Sequence, residues 1–401
     1  MARALVLAGG GAKGSYQIGV WKALEELGWK PDIVTGTSIG SLNGALLAQG
    51  GYEIARSMWM TVAEGDIVTL PKDDSLSHLS AFVQDVIRSG GLDVSPLEQI
   101  VTSQLDEDRL RHGDIKFGLV TVEQKTMKAC ELSLDEIPEG QLADYLLASA
   151  ACFPALRPRT IDGKKFIDGG YRDNMPFNLA KRMGATELVT VDINGIGFTR
   201  PNHTGLPTTE IHCYWDLGDL LNVNRERSER NMELGYNDTF RAFKRLRGTA
   251  YAIRTEDAME QLAALRKPYS ACMRRLADAD LAVELTNKAA LTMFRAEDKP
   301  LAFLECAAKA AGVDPTPIYT VKELSQAFLQ AYDPEKFRRL DGLFDPEGPD
   351  RLDVLRSVTD PQELVAAVAY RAWSPEFARE LDILDEADDP DTVWDVFGGE
   401  E

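Results

Sequence analysis

Apolar positions along this chain of 401 residues follow two rhythms. Over 3–8 and 33–35 they form short unbroken runs, each followed at once by glycines and then by an apolar repeat of helical period. The first repeat covers 16–27, with Ile18, Trp21, Leu24 and Leu27 on one face, and the second covers 39–49. An uninterrupted apolar strand running into a helix marks a parallel sheet buried on both faces. The chain is therefore read as α/β, with both strand-to-helix turns at the end of the sheet where such folds hold ligands. Helices are expected over 54–62, 76–87, 96–104, 141–150 and 176–183, the third capped within Asp93-Val94-Ser95-Pro96. Residues 115–123 and 127–134 alternate as a hairpin turning near Gln124-Lys125-Thr126, and strands are expected at 165–168, 187–192 and 211–215. Residues 195–205 read as loop and 219–247 as a charged helix.

From residue 250 the pattern changes to Ala, Leu, Glu, Asp and Arg in helical runs at 258–265, 272–289, 301–311, 321–332, 350–357 and 361–373. The expected organisation is a first domain over 1–249 and an all-helical second domain over 250–401, with no motif in the second that carries chemistry. Charge follows the same division. The net charge is −20; residues 1–250 hold 27 basic and 33 acidic side chains, residues 251–401 hold 17 and 31. That balance disfavours nucleic acid and anionic head groups at long range. A short basic turn at 241–248 is either a solvated helix end or a lipid contact. No window approaches eighteen uninterrupted apolar residues and Met1 to Leu5 runs directly into a strand, so neither a membrane span nor a signal peptide is expected. Five scattered cysteines, with no C-x-x-C pair, fit reduced thiols in a cytoplasmic setting.

Chemistry gathers at three places. Gly36-Thr37-Ser38-Ile39-Gly40 joins the second strand to its helix, and a strand that re-enters a helix this sharply needs glycines on either side of an exposed Ser38. Gly9-Gly10-Gly11-Ala12-Lys13-Gly14 joins the first strand to its helix and aims backbone amides into a small volume, which suits a phosphate or an oxyanion. The spacing of Gly9, Gly11 and Gly14 matches a dinucleotide loop, but Asp32 precedes the second strand instead of ending it. A P-loop is excluded because Lys13 is followed by Gly14. Third, a strand stops at Asp168-Gly169-Gly170, where an acid followed by two glycines allows another backbone to approach closely. Four histidines exist, His78, His112, His203 and His212, none in a recognisable motif. The α/β-hydrolase order needs several strands ahead of its nucleophile, and only one precedes the strand leading to Ser38. Asp168 acting directly on Ser38 is the remaining arrangement, in a desolvated site that raises its basicity.

Taken in chain order, these three motifs resemble the patatin-like phospholipase family over about residues 3–250. The resemblance implies a three-layer α/β/α fold with a mainly parallel sheet, a nucleophile at Ser38, a base at Asp168 and an oxyanion hole at Gly9, Gly10, Gly11 and Lys13. Gly14, Gly36, Gly40, Gly169 and Gly170 support these motifs. It further implies cofactor- and metal-independent hydrolysis of acyl esters of phospholipids or related lipids, with transient contact at a membrane surface. Ala8 and Lys13 depart from the acid and the arginine that many members carry there, and lysine lacks arginine's planar fork. Two other readings stay open: acyl transfer from Ser38 to an alcohol or thiol, and a nucleotide- or phosphate-binding protein using the glycine loop.

Overall fold

A computed structural model describes residues 2–61, 95–220, 223–256, 298–343, 354 and 361–373. The helices expected over 76–87, 258–265 and 272–289 lie outside the described residues, as does that over 350–357 apart from Val354. The chain divides into two compact units, Met1–Phe243 and Lys244–Glu401.

The first unit is built on eight strands: β1 (Arg3–Leu7), β2 (Ile33–Thr37), β3 (Lys116–Glu123), β4 (Lys128–Ser133), β5 (Arg159–Ile161), β6 (Lys164–Asp168), β7 (Glu187–Asp192) and β8 (Thr208–His212). Its parallel centre runs β3-β2-β1-β7-β8. Leu5, Val6, Val34, Val189 and Val191 in that centre are shut off from solvent, which is why their strands read as unbroken apolar runs. Its helices are α1 (Ser15–Glu26), α2 (Ile39–Ala48), α3 (Tyr52–Thr61), α4 (Ser95–Gln104), α5 (Glu107–His112), α6 (Leu142–Ser149), α7 (Phe177–Arg182) and α8 (Arg225–Ala242).

Successive strand residues face opposite sides of a sheet, and two neighbours on β3 identify the flanking layers. A Cβ added to Gly44 of α2 would lie 3.4 Å from the Phe117 ring, whereas one added to Gly118 would lie 2.8 Å from Met183 Sδ and 3.1 Å from Leu179 of α7. Helices thus cover both faces, giving an α/β/α core.

The topology around β3 brings distant segments together. Strand β4 pairs with Gly118 to Glu123 and so occupies one edge. Strands β2, parallel along 116–120, and β6, antiparallel along 121–123, share the other. They approach head-on. Thr37 ends β2 opposite Val120, and Asp168 ends β6 opposite the next residue, Thr121.

The widest departures from the expected limits are at a strand and a helix. The last strand is Thr208–His212 instead of 211–215 because it pairs residue by residue with β7, Leu188 to Thr208 through Asp192 to His212. Pairing, more than apolar content, sets its limits. The charged helix starts at Arg225, where Asn224 caps it by accepting from the Arg227 amide at 2.8 Å, and ends at Ala242. Arg241, at the basic turn, is ion-paired with Asp238.

The second unit is mostly helical, with helices at Lys299–Ala311, Val321–Ala331 and Pro361–Trp373. It also carries a three-stranded sheet, Leu246–Arg247, Ala252–Arg254 and Ile318–Tyr319, where an all-helical domain was expected. Strands of two or three residues are too short to show a period of two. Glu305 Oε1 accepts from the amides of Thr249, Ala250 and Tyr251 at 2.7, 2.9 and 2.9 Å, tying the first of those helices to the turn between two strands.

Candidate active site

Ser38 stands between β2 and α2 with φ 55° and ψ −127°, a conformation that costs a non-glycine residue about 1–3 kcal/mol and persists only where its surroundings impose it. The surroundings are crowded backbone. A Cβ on Gly36 would fall 2.3 Å from Gly40 O, and one on Gly40 would fall 2.4 Å from Leu7 O. Both glycines are therefore required by close approach. The Ser38 amide donates to Ser149 Oγ at 2.9 Å, and that hydroxyl donates to Val120 O at 2.7 Å, tying the turn to β3 through the end of α6.

The head-on meeting of β2 and β6 places Asp168 against this turn. Ser38 Oγ donates to Asp168 Oδ2 at 2.6 Å, and the Gly170 amide donates to Asp168 Oδ1 at 2.7 Å. Gly169 fits at the junction because a side chain there would lie 2.3 Å from Val120 O. Burial pushes the Asp168 carboxyl up to about 6, against the opposing pull of the Ser38 hydroxyl and the Gly170 amide. A carboxylate of that strength accepts a proton far more readily than one in water.

Residues 9–14 form the opposite wall. Asn174, buried, grips the backbone of Gly9 from both sides: its Oδ1 accepts from the Gly9 amide at 3.2 Å and its Nδ2 donates to Gly9 O at 3.3 Å. The Ala12 amide donates to Leu220 O and the Lys13 amide to Gly10 O. No acceptor for the amides of Gly10 and Gly11 is found among the described residues. Lys13 Nζ donates to Asn194 O at 2.9 Å, so its side chain fastens the loop. Behind the loop a buried polar chain holds the geometry. Trp59 Nε1 donates to Asn43 Oδ1, Asn43 Nδ2 donates to Gly14 O and Gln17 Oε1, and Gln17 Nε2 donates to Ala8 O.

Ser38, Asp168, Gly9, Gly10, Gly11 and Gly170 all line one cavity of about 480 Å³, whose remaining wall is largely apolar and includes Ile39, Leu42, Trp59, Leu97 and Leu156. That volume lies in the usual range for small-molecule sites. His112, His203 and His212 are exposed and none lines the cavity, while His78 lies outside the described residues. Asp32 accepts from the Arg3 amide at 2.7 Å, at the far end of the sheet from the glycine loop. Asn174 and Ser149 carried no signal in the sequence that marked them as part of the site.

Residues 5–181, which hold all three glycine-bearing motifs, match the family model for patatin-like phospholipase, Patatin. Over that stretch the chain is similar to a patatin-like phospholipase domain. The chain is 32% identical over 232 residues to patatin-like phospholipase domain-containing protein 6 of Homo sapiens, covering 55% of this chain and 15% of that protein. It is 31% identical over 220 residues to lysophospholipase NTE1 of Yarrowia lipolytica, covering 53% of this chain and 14% of that protein. The chain thus matches only a small part of the length of these relatives. Among solved structures, VipD from Legionella pneumophila aligns over 92% of this chain and 91% of that chain, at 15% identity and a TM-score of 0.39. No helix among the described residues is long and apolar enough to cross a membrane.

Proposed function

We propose that this chain is a serine acyl hydrolase acting on fatty-acyl esters of phospholipids or related lipids. The observation that carries the reading is the 2.6 Å hydrogen bond from Ser38 Oγ to Asp168 Oδ2 beside a largely apolar cavity. Asp168 takes the Ser38 proton as Oγ attacks the ester carbonyl, forming a tetrahedral oxyanion. The amides of Gly10 and Gly11 receive that oxygen, each such donor contributing about 3 kcal/mol to the barrier reduction. Asp168 then returns the proton to the leaving alcohol, and an acyl-enzyme remains on Ser38. Water, deprotonated by Asp168, releases the fatty acid and restores the hydroxyl. Gly9 supports the oxyanion wall through Asn174, and Lys13 by fastening its loop. The apolar walls accommodate the acyl chain.

Hydrolysis of a p-nitrophenyl acyl ester tests the reading. Ser38→Ala and Asp168→Asn each lower the rate by about a thousandfold or more while leaving the thermal transition in place. A fluorophosphonate probe labels the peptide bearing Ser38. Undiminished turnover in either variant, or labelling at another serine, overturns the proposal.

A further inference from the structure

Among the described residues four large apolar side chains are exposed: Ile54, Tyr171, Ile196 and Phe198. All except Ile54 line the cavity that holds Ser38. Single exposed apolar residues are ordinary on protein surfaces, whereas three gathered around one opening mark an interaction surface. Ile196 is 84% exposed and Phe198 58%.

Their backbone is pinned to both walls of the site. A Cβ on Gly195 would lie 2.0 Å from Gly9 O, and one on Gly197 would lie 2.8 Å from Asn174 Cγ. The Phe198 amide donates to Gly170 O at 2.7 Å, and Phe198 O accepts from the Asn174 amide at 2.8 Å. The same loops that bear Gly9 and Asp168 therefore hold two apolar side chains out at the mouth.

Charge narrows what this rim meets. Residues 1–250, which include the rim, hold 27 basic and 33 acidic side chains. The flanking arginines are already engaged: Arg172 Nε donates to Met127 O at 2.7 Å, and Arg200 Nη1 to Glu131 Oε1 at 3.0 Å. These features disfavour an anionic surface. A protein seated on the rim would close the opening to substrate, whereas a lipid surface presents acyl chains to it. We infer that Tyr171, Ile196 and Phe198 form a docking rim that seats the cavity mouth on a zwitterionic lipid surface, so that an acyl ester enters from lipid without crossing bulk water. The inference rests on reading the cavity as a site for lipid acyl esters.

Full-length Ser38→Ala protein, which leaves lipid intact, is sedimented with phosphatidylcholine vesicles and, separately, with phosphatidylglycerol vesicles. Binding to phosphatidylcholine is expected to be insensitive to salt, to weaken about tenfold in the added double variant Ile196→Ser/Phe198→Ser, and to persist in Phe198→Leu. Adding Ile54→Ser leaves binding unchanged, and matched melting temperatures show that every variant is folded. Absent phosphatidylcholine binding, or equal binding by the double variant, overturns the inference. So does binding confined to phosphatidylglycerol and lost in high salt, or a dimer that the double variant dissolves, which assigns the patch to a second copy of the chain. Because sedimentation requires no turnover, its failure is distinct from failure of the Ser38 proposal, which is read in ester hydrolysis and probe labelling.

Discussion

The two loops that face each other across the cavity use their backbones in opposite ways. From Gly170 to Met175, the amides of Gly170, Arg172, Asp173, Asn174 and Met175 all donate to acceptors within the protein. Around Gly9 to Gly14 the loop is held by Asn174, Leu220 and Asn194, while the amides of Gly10 and Gly11 meet no acceptor among the described residues. In the first loop those five amides are spent within the protein, which holds the carboxylate still. The other is fastened at its margins and open at its centre, which is the condition for receiving a developing charge without reorganising.

The sharpest way to break this contrast is to displace the open amides. Gly10→Ala sets a methyl 2.6 Å from Ile193 Cδ1 and pushes the loop aside; kcat falls about a hundredfold with little change in KM. Ile193→Ala in the same chain makes room and restores part of the loss. Unchanged kcat in Gly10→Ala would remove this loop from the chemistry. Next in size, Asn174→Ala releases Gly9 and lets the loop drift, lowering kcat about thirtyfold. Fluorophosphonate labelling slows by a similar factor, and an unaffected labelling rate would show that Asn174 does not position the loop.

The loop that follows Asp168 is tested by pH. On the proposed mechanism Asp168 acts in its ionised form, and its carboxyl is pushed up to about 6, so single-turnover rates are expected to be flat above that pH and to fall about tenfold per pH unit below it. A profile flat to pH 4 would contradict the assignment of Asp168 as the base.

The smallest effect concerns Asp173, whose buried Oδ2 has no hydrogen-bond partner among the described residues and lies 3.8 Å from Arg200 Nη1. Burial pushes this carboxyl up to about 7, with Arg200 pulling the other way. A folded-state value above the unfolded one means that the native state holds the extra proton, so this group's stabilisation is present in acid and is lost as pH rises through about 7. Asp173→Asn removes that loss. Its melting temperature is expected to exceed the parent's by about 3–6 °C at pH 8 and to match it near pH 4. Equal melting at pH 8 would show that Arg200 fully compensates the buried charge.

Much of the fold is local in origin and so was readable in the sequence. The strand, glycine and helix succession at Gly9 to Gly14 and at Gly36 to Gly40 follows from steric rules acting within a few residues. What sequence could not convey is pairing. That β6 lies antiparallel along the same edge of β3 as β2, and ends one residue from it, depends on contacts across more than a hundred residues. Ser149 reads as one small residue in an apolar helix end, and only the assembled sheet turns its hydroxyl toward Ser38. Asn174 is similar: its sequence neighbours suggest a turn, while its side chain spans to Gly9, 165 positions away. Residues 195–205 were legible as loop, but the outward placement of Ile196 and Phe198 follows from backbone contacts with Gly9, Gly170 and Asn174.

The head-on junction on the β3 edge also bears on when the protein becomes reactive during synthesis. A chain leaving the ribosome exposes its early serine long before residue 168 has been added, and a hydroxyl without its carboxylate is no more nucleophilic than any other. Even after that residue emerges, a slip of one position along β3 turns the aspartate to the wrong face of the sheet. On the proposed mechanism, ester hydrolysis is thereby delayed until β6 has paired with β3 in register.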